Sequence, residues 1–293
     1  CIVLDERINK FILPIKNDLD KFNCELDCDL EFNGGIRHIC FRIGVYTNEV
    51  LITIISSKNI DKINDLSQLW MDRWNDVVGV TINYQPLKNN ILFGSTTLVL
   101  QGRGYIVDIL YKLKFQIGSS TFFQVNTIQA EIMIAYIINK IKDFINYNKI
   151  IDCYCGIGTI TLPLAKLGYN VIGIEISNES IINANDNARI NNIKTVEFVL
   201  GNVDKYIRKY LTSDDLLIID PPRKGLSNKF KTLILETLPK YIIYISCHPG
   251  TLARDLKDIM INQDYIIESI QPFDFFPQTT HIECLCILYK VSS

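Results

Sequence analysis

The chain has 293 residues, 48% of them hydrophobic, and a formal net charge of −2. This length allows two domains with a large core, and no apolar run reaches the roughly 18 to 20 residues of a membrane-spanning helix. The small net charge does not indicate a nucleic-acid-binding protein, although a local basic strip would be enough for one.

Residues 1–115 mix helical and extended patterns and predict a smaller α+β domain. We expect helices at Asp5–Phe22 and Ile60–Trp74. Five strands are predicted, at Ile36–Val45, Glu49–Ser56, Gly79–Asn83, Thr97–Gln101 and Tyr105–Leu110. No repeat or low-complexity linker separates this region from the rest of the chain.

Residues 116–293 alternate short apolar strands with helices, which predicts a parallel sheet covered on both faces. Asn126 can cap a helix that runs to about Ile145, with Gln129 at the third position. The predicted strands are Ile150–Cys153, Asn170–Glu175, Val196–Leu200, Leu216–Asp220, Tyr241–Ser246, Tyr265–Phe273 and His281–Tyr289. The last two have no helix between them and predict an antiparallel hairpin. A doubly wound, Rossmann-like α/β sheet with such a hairpin is typical of the class I methyltransferase fold.

A glycine-rich turn follows the first of these strands and opens a helix. Gly156 and Gly158 allow tight turning and close approach of a ligand to the backbone. The full dinucleotide pattern fails, because Thr161 occupies the position of its third glycine. The turn therefore predicts a nucleotide-type cofactor without identifying it.

Two further residues extend this predicted cofactor site. Glu175 ends the second strand, where an acid can hydrogen-bond both hydroxyls of a ribose. It fits NAD and S-adenosyl-L-methionine equally well. Asn202 follows the third strand and is placed to meet an adenine edge.

The fourth strand ends in Asp220-Pro221-Pro222-Arg223. This motif distinguishes an NAD-dependent enzyme from one that uses S-adenosyl-L-methionine. The prolines stiffen the loop and hold Asp220 in a fixed orientation. Similar motifs occur in methyltransferases that act on planar nitrogen bases or amides, and we would not expect one here in a dehydrogenase.

A thiol and a carboxylate complete the set of candidate catalytic residues. Cys247 stands just after the apolar strand Tyr241–Ser246, whereas a structural core cysteine would lie within it. Glu283 follows 36 residues later. A nucleophile and a base on a cofactor-binding fold suggest covalent catalysis on a bound base.

Together these motifs resemble the S-adenosylmethionine-dependent RNA uracil-C5 methyltransferases, which make 5-methyluridine in tRNA and 23S ribosomal RNA. The resemblance covers about Phe122 to Glu283, with six motifs in family order. They are Phe122–Asn126, Asp152–Thr159, Gly173–Glu175, Asp220–Gly225, Ser246–Asp255 and Thr280–Glu283.

The resemblance implies a role for each matching residue. Cys247 would be the nucleophile and Glu283 the base. The cofactor site would contain Gln124, Tyr154, Gly156, Gly158, Thr159, Glu175, Asn202 and Asp220. The uridine would meet Gln124, Asp220 and Arg223.

The chemistry explains these residue types. Uracil C5 is a poor nucleophile, but addition of a thiolate to C6 makes an enolate whose C5 can attack a methyl donor. A base must then remove the C5 proton. We therefore expect Cys247 to have a lowered pKa or to lose its proton during attack, helped by the helix that begins near Pro249. The uridine must be unpaired or flipped out.

Departures from the family pattern are few. His248 replaces the usual Asn after the nucleophile, and the small N-terminal RNA-binding barrel of many relatives is absent. Some relatives hold a four-iron cluster, and Cys1 resembles the last ligand of that cluster. The chain begins at Cys1 and not at Met, so we expect a longer native protein that carries the other three ligands. This chain alone could not hold the cluster.

The predicted partner is RNA. We favour 23S ribosomal RNA over tRNA because a cysteine like Cys1 occurs in that branch. Candidate basic patches are Lys112 and Lys114; Lys205, Arg208 and Lys209; and Arg223, Lys224, Lys229 and Lys231. We expect a cytoplasmic monomer with no membrane partner, since no secretory signal is visible. We expect no metal in this chain, because Cys24 and Cys28 lack a second pair with zinc-finger spacing.

Two rival functions stay open. A methyltransferase acting on an amino group of another base would keep Asp220-Pro221-Pro222 without needing Cys247 or Glu283. A noncatalytic RNA-binding module would bind RNA without either residue and would transfer no methyl group.

Overall fold

The chain is described by a computed structural model that covers residues 5–27, 34–87 and 90–291. Cys1 and Cys28 lie outside these ranges. The chain divides into two units, one with Cys1–Ile109 and Phe115–Thr121, the other with Leu110–Lys114 and Phe122–Ser293.

The first unit is built on a four-stranded sheet with two helices. Its helices are α1 (Asn9–Lys21), which follows a 3₁₀ turn at Glu6–Ile8, and α2 (Ile63–Arg73). Its strands are β1 (Ile36–Ile43), β2 (Val50–Ser56), β3 (Val77–Tyr84) and β4 (Thr96–Gly102), hydrogen-bonded in that order. Only β2 and β3 are parallel, and α2 connects them, as a parallel crossover requires.

A buried acid ties α1 to α2. Asp18 accepts hydrogen bonds from the Trp70 indole at 3.0 Å and from Arg73 at 2.6 Å. Phe11 and Trp70 are fully buried beside this pair, in the core against the sheet. The amphipathic pattern of both helices therefore serves one continuous core.

A hairpin of β5 (Tyr105–Leu110) and β6 (Leu113–Gly118) follows. Our sequence prediction missed β6. The turn residues Tyr111 and Lys112 have φ values of 48° and 64°. Left-handed turn residues are normally Gly, Asn or Asp, so the usual hairpin signal is absent from this sequence.

The second unit contains a seven-stranded sheet. Its strands are β7 (Ile150–Cys153), β8 (Val171–Glu175), β9 (Val196–Leu200), β10 (Leu216–Ile219), β11 (Tyr241–Ser246), β12 (Tyr265–Phe273) and β13 (Glu283–Lys290). They lie in the order β12-β13-β11-β10-β7-β8-β9. Only β13 runs antiparallel to its neighbours, which confirms the predicted parallel sheet with its closing hairpin.

Helices connect the parallel strands of this sheet. Helix α3 (Thr127–Asp143) precedes β7, and the connecting helices are α4 (Thr161–Lys166), α5 (Asn178–Ile190), α6 (Val203–Tyr206), α7 (Asn228–Thr237) and α8 (Pro249–Ile259), with a 3₁₀ turn at Ile207–Lys209. Asn126 caps α3 by accepting from the Gln129 amide at 3.1 Å, as predicted. Strands β10 and β11 are buried along nearly their whole length, as expected for the centre of a parallel sheet.

Membrane-spanning helices and cysteine pairing can be assessed for the described residues. None of their helices is both long and apolar enough to cross a membrane. The seven cysteines among them are free thiols.

Candidate active site

The strand order brings the predicted site residues to one edge of the second unit's sheet. Strands β7 and β10 are neighbours, although two strands and their helices separate them along the chain. The chain leaves β7 toward β8 on one side and leaves β10 toward β11 on the other. Ligands bind at such switch points, outside the carboxyl ends of the strands.

The turn after β7 has an unusual backbone. Tyr154, Gly156 and Gly158 have φ values of 65°, 55° and 88°, in the left-handed region. No described atom lies within 4 Å of the point where a Cβ on Gly156 would be. The turn therefore leaves open space directly beside the backbone, which fits a ligand that packs against it.

Glu175, at the end of β8, is anchored to this turn. Its carboxylate accepts from the Gly156 amide at 3.2 Å and from the Ser177 amide at 2.8 Å. A carboxylate has about four acceptor positions. Two remain for hydroxyl groups of a ligand.

A buried acid lies beneath the turn. Asp152 is the third residue of β7, and the Thr161 hydroxyl donates a hydrogen bond to it. Burial raises the pKa of Asp152 to about 7, against the effect of that bond. Sequence analysis noted Thr161 only as a missing glycine; its hydroxyl instead supports the acid under the loop.

Asn202 has a structural role as a helix cap. It follows β9 and caps α6, because its side-chain oxygen accepts from the Asp204 amide at 2.9 Å. Capping uses one acceptor position of the side-chain carbonyl and leaves the amide NH₂ group for other partners.

Cys247 and Glu283 are brought together by strand register. In the antiparallel pair of β11 and β13, Ser246 lies opposite Cys284. The next pair at this edge is therefore Cys247 and Glu283, and cross-strand neighbours of this kind stand about 5 Å apart between Cβ atoms. Asp220 follows Ile219, the residue of β10 that pairs with Tyr244 of β11. Two acids and a thiol thus share one corner of the sheet.

Burial has a large effect on the two acids at this corner. Glu283 is only 5% exposed, and burial raises its pKa to about 7. Burial, followed by repulsion from Glu283 and Asp152, raises the pKa of Asp220 well above its usual range. No described residue donates a hydrogen bond to either carboxyl group.

The thiol differs from the sequence-based expectation of a lowered pKa. Burial raises the pKa of Cys247, and the charges of Glu283 and Asp220 raise it further. Arg223 acts in the opposite direction but more weakly. Of the two expected routes to a thiolate, a lowered pKa is therefore not supported, mainly because the thiol is buried, and loss of the proton during attack stays a prediction.

His248 shows how the chain accommodates the departure from the usual Asn. It is the N-cap of α8, and its ring Nδ1 accepts from the Thr251 amide at 3.1 Å. An Asn side chain caps a helix through its oxygen in the same way. His248 therefore keeps the capping function next to Cys247.

A second buried acid, not predicted, clamps the Asp220 loop to α8. Asp255 is fully buried and accepts from the Leu226 amide and the Tyr244 hydroxyl, both at 2.8 Å. Gly225 has φ 76°, and a Cβ there would come within 2.4 Å of an Asp255 oxygen. The sequence signal was present in Gly225 and Asp255, which both belong to quoted motifs, but their contact joins residues far apart in sequence.

The remaining predicted residues border the corner less directly. Gln124 is partly buried just before α3, and the neighbouring Asn126 donates to the Phe275 carbonyl at 3.4 Å, in the loop that leads to Glu283. Arg223 is exposed, and Thr159 is partly buried in the glycine turn. The structure gives no side-chain hydrogen bond to Gln124 or Thr159 within its described ranges. In those same ranges no group of three or more His, Cys, Asp or Glu side chains is arranged to hold a metal ion.

Comparison with known proteins places the chain in a family. Residues 29–210 and 203–291 match the family described as tRNA (Uracil-5-)-methyltransferase. An uncharacterized RNA methyltransferase of Prochlorococcus marinus is 47% identical over 294 residues, which are 100% of this chain and 70% of that protein. Another from Parasynechococcus marenigrum is 43% identical over 295 residues, 100% of this chain and 63% of that protein.

A solved structure extends the likeness to three dimensions. The Pyrococcus abyssi tRNA (uracil-54, C5)-methyltransferase, crystallised with S-adenosyl-L-homocysteine, aligns with a TM-score of 0.72 and 27% identity. The alignment covers 93% of this chain and 65% of that one. The predicted class I methyltransferase fold is confirmed. The chain belongs to the tRNA (uracil-5-)-methyltransferase family.

Proposed function

We propose that this chain transfers a methyl group from S-adenosyl-L-methionine to C5 of a uridine in RNA, through a covalent bond between Cys247 and C6. One observation carries the proposal. The β11–β13 register places a thiol beside a buried carboxyl group whose pKa is about 7. An amino-group methyltransferase needs neither residue.

The residues at the β7 and β8 ends fit the cofactor. The open space at Gly156 accommodates the amino acid part, and Glu175 has acceptor capacity for the ribose hydroxyls. Asn202 would meet the adenine edge, while Tyr154, Gly158, Thr159, Gln124 and Asp220 would line the rest. When bound, the cofactor supplies an electrophilic methyl group.

The protein residues account for the remaining steps. The Cys247 thiolate adds to C6, and the electron pair of the C5–C6 double bond moves into the enolate. C5 would then form its bond to the methyl group as the bond from that group to the sulfonium sulfur breaks, with S-adenosyl-L-homocysteine as the leaving group, and Glu283 would remove the C5 proton. Elimination breaks the S–C6 bond and returns the thiolate.

The raised pKa of Cys247 requires that its proton leave during substrate binding or attack. A positively charged ligand near Asp220 and Glu283 would offset the repulsion that now opposes the thiolate. Arg223, which already lowers the thiol pKa, would help in the same direction. Gln124 can donate to the enolate oxygen.

Trapping on modified RNA tests this reaction. The protein is incubated with S-adenosylmethionine and RNA that contains 5-fluorouridine, and covalent complexes are sought on a denaturing gel. Fluorine at C5 cannot be removed as a proton, so the adduct persists. We expect a complex with the wild type and with Cys24→Ala, whose thiol is also partly buried, and none with Cys247→Ala. A complex that survives Cys247→Ala contradicts the proposal.

Two outcomes distinguish the rival functions. Methyl transfer to ordinary RNA without a trapped complex would support an amino-group methyltransferase. RNA binding with neither transfer nor complex would support a noncatalytic module.

The RNA class is a separate part of the proposal. Our preference for 23S ribosomal RNA rests on Cys1, which lies outside the described residues, as does the suggested four-iron cluster of a longer chain. The matching family and the Pyrococcus enzyme are both named for tRNA. Separate incubation with purified tRNA and ribosomal RNA, followed by mass spectrometry for 5-methyluridine, decides between them.

A further inference from the structure

We propose that a cleft beside the nucleophile loop binds a phosphate group of the RNA backbone. This inference rests on the proposed function, because it assumes an RNA substrate. The cleft has a volume of about 460 Å³ and lies between the Asp220 loop, α7 and α8. Its lining includes Lys224, Ser227, Asn228, Lys231, Arg254 and Asp258.

The charges of the cleft favour an anion. Lys231 is buried and pairs with Asp258 at 2.6 Å, and Arg254 pairs with the buried Asp255 at 2.8 Å. These two pairs leave Lys224 as the excess positive charge. Lys224 is exposed, and its ammonium group has no ion-pair partner in the described part of the chain. An ammonium group in this position can meet a phosphate as a point charge.

Neutral donors complete the lining. The Ser227 oxygen accepts from the Phe230 amide at 3.0 Å, which leaves its own O–H to donate. Asn228 is exposed and carries two amide protons. A phosphate group has several acceptor oxygens, so a charge with two flanking donors matches its chemistry.

The cleft is tied to the catalytic corner through backbone contacts. The Thr251 hydroxyl donates to the Arg223 carbonyl at 3.4 Å, and Arg254 donates to the Lys224 carbonyl at 2.9 Å. Arg254 is five residues into α8, about 7.5 Å along its axis from Pro249. A nucleotide next to the uridine at Cys247 would therefore bring its phosphate within reach of the cleft.

The floor of the cleft is rigid. Asp255 holds the Leu226 amide, and the contact of Gly225 with Asp255 leaves no room for a Cβ. A binding group held in this way loses little conformational freedom when the ligand arrives. The loop that carries Asp220 is thus positioned together with the phosphate site.

Salt-dependent RNA binding tests the proposal with variants of two lysines. Lys224→Gln removes the unpaired charge, whereas Lys194→Gln removes an exposed charge between α5 and β9 that does not line the cleft. The probe is a fluorescein-labelled 12-nucleotide oligouridine, followed by fluorescence anisotropy at several salt concentrations. We expect Lys224→Gln to weaken binding roughly fivefold and to reduce the slope of log K against log salt by about 0.7. Lys194→Gln should change neither.

A third variant should act in the opposite direction. Asp258→Asn removes the negative charge that lines the cleft and releases Lys231 toward it. We expect tighter binding of the same oligouridine, by roughly threefold, with a steeper salt slope.

The outcomes separate this inference from the proposed reaction. If Lys224→Gln and Lys194→Gln behave alike while the 5-fluorouridine complex forms normally, the cleft proposal is wrong and the reaction stands. If Lys224→Gln lowers the slope but no complex forms, the reaction is wrong and the cleft stands. Failure of the wild type to bind oligouridine at low salt also overturns the cleft, since a phosphate contact does not depend on sequence.

Discussion

The acids at the two halves of the sheet's carboxyl edge differ in their hydrogen bonding and in their pKa values. At the ends of β7 and β8, Glu175 receives two backbone hydrogen bonds at 3.2 and 2.8 Å. At the corner of β10, β11 and β13, Asp220 is partly buried and Glu283 is buried, and the pKa values of both are raised. The first half thus fixes its acid with backbone hydrogen bonds, whereas no described residue donates a hydrogen bond to the carboxyl groups of the second, and the pKa of Glu283 lies near neutral pH. Four predictions test that difference.

The largest effect should come from Glu283→Gln. An amide cannot accept the C5 proton, so we expect turnover to fall by roughly 10²- to 10⁴-fold. Because the thiol can still add to C6, covalent complexes with ordinary uridine RNA should accumulate. Methyl transfer from labelled cofactor and a denaturing gel measure both effects.

The matched control for this variant is Glu236→Gln, an exposed acid of α7 that pairs with Arg208. It should turn over like the wild type. Near-normal turnover of Glu283→Gln would show that Glu283 is not the base, and the proposed difference between the two groups of acids would not hold.

The same variant should stabilise the fold at high pH. The pKa of Glu283 is raised from 4.5 to about 7 in the folded state. Its favourable contribution is therefore complete below pH 4.5 and is lost as the pH rises through about 7. Relative to the wild type, Glu283→Gln should gain at most about 3 kcal/mol of unfolding free energy between pH 4.5 and pH 8.

Urea unfolding at pH 5 and pH 8 measures this gain, with Glu236→Gln again as control. A Glu283→Gln variant that is less stable than the wild type at pH 8 would show that the carboxylate has a stabilising partner. The comparison between the two halves would then fail.

Glu175→Ala should instead weaken binding of the cofactor product. It removes a carboxylate that is already well bonded, together with its capacity for ribose hydroxyls. We expect S-adenosyl-L-homocysteine to bind roughly 10- to 100-fold more weakly, as lost charged hydrogen bonds would cause. Isothermal titration calorimetry measures the affinity, and Glu197→Ala, an exposed acid of β9, is the control. Equal affinities for the two variants would show that Glu175 does not contribute to cofactor binding.

The smallest effect concerns the helix cap next to the nucleophile. His248→Ala should lower the unfolding free energy by about 1 kcal/mol, because the Thr251 amide loses its side-chain acceptor and keeps only the His248 carbonyl. His248→Asn should restore most of it. Urea unfolding compares the three proteins, and equal losses for both substitutions would show that the ring does more than cap α8.

The sequence predicted the frame of this site well because strand and helix patterns are local. Strands β7, β9, β11 and β12 have the predicted bounds, and Cys247 directly follows β11 as predicted, whereas β13 begins at Glu283 and not at the predicted His281. What it missed depends on contacts between distant residues. The bond of Thr161 to Asp152 and the clamp of Asp255 on Leu226 could not be seen from spacing alone.

The pKa of Cys247 shows the same limit in energetic terms. The α8 terminus favours a thiolate, and the motif predicts that terminus correctly. The sign of the shift depends on how deeply the thiol is buried and how close two acids lie, which only the folded chain determines.

Strand β13 also affects how the site can move. It is hydrogen-bonded to β11 on one side and β12 on the other, and its first six residues are buried. Backbone amides in such a position exchange with solvent only when the sheet opens. Glu283 starts that strand, whereas Cys247 stands in the turn after β11. Any adjustment that closes the gap between thiol and carboxyl group therefore comes from the cysteine side, and the carboxyl group remains the fixed point.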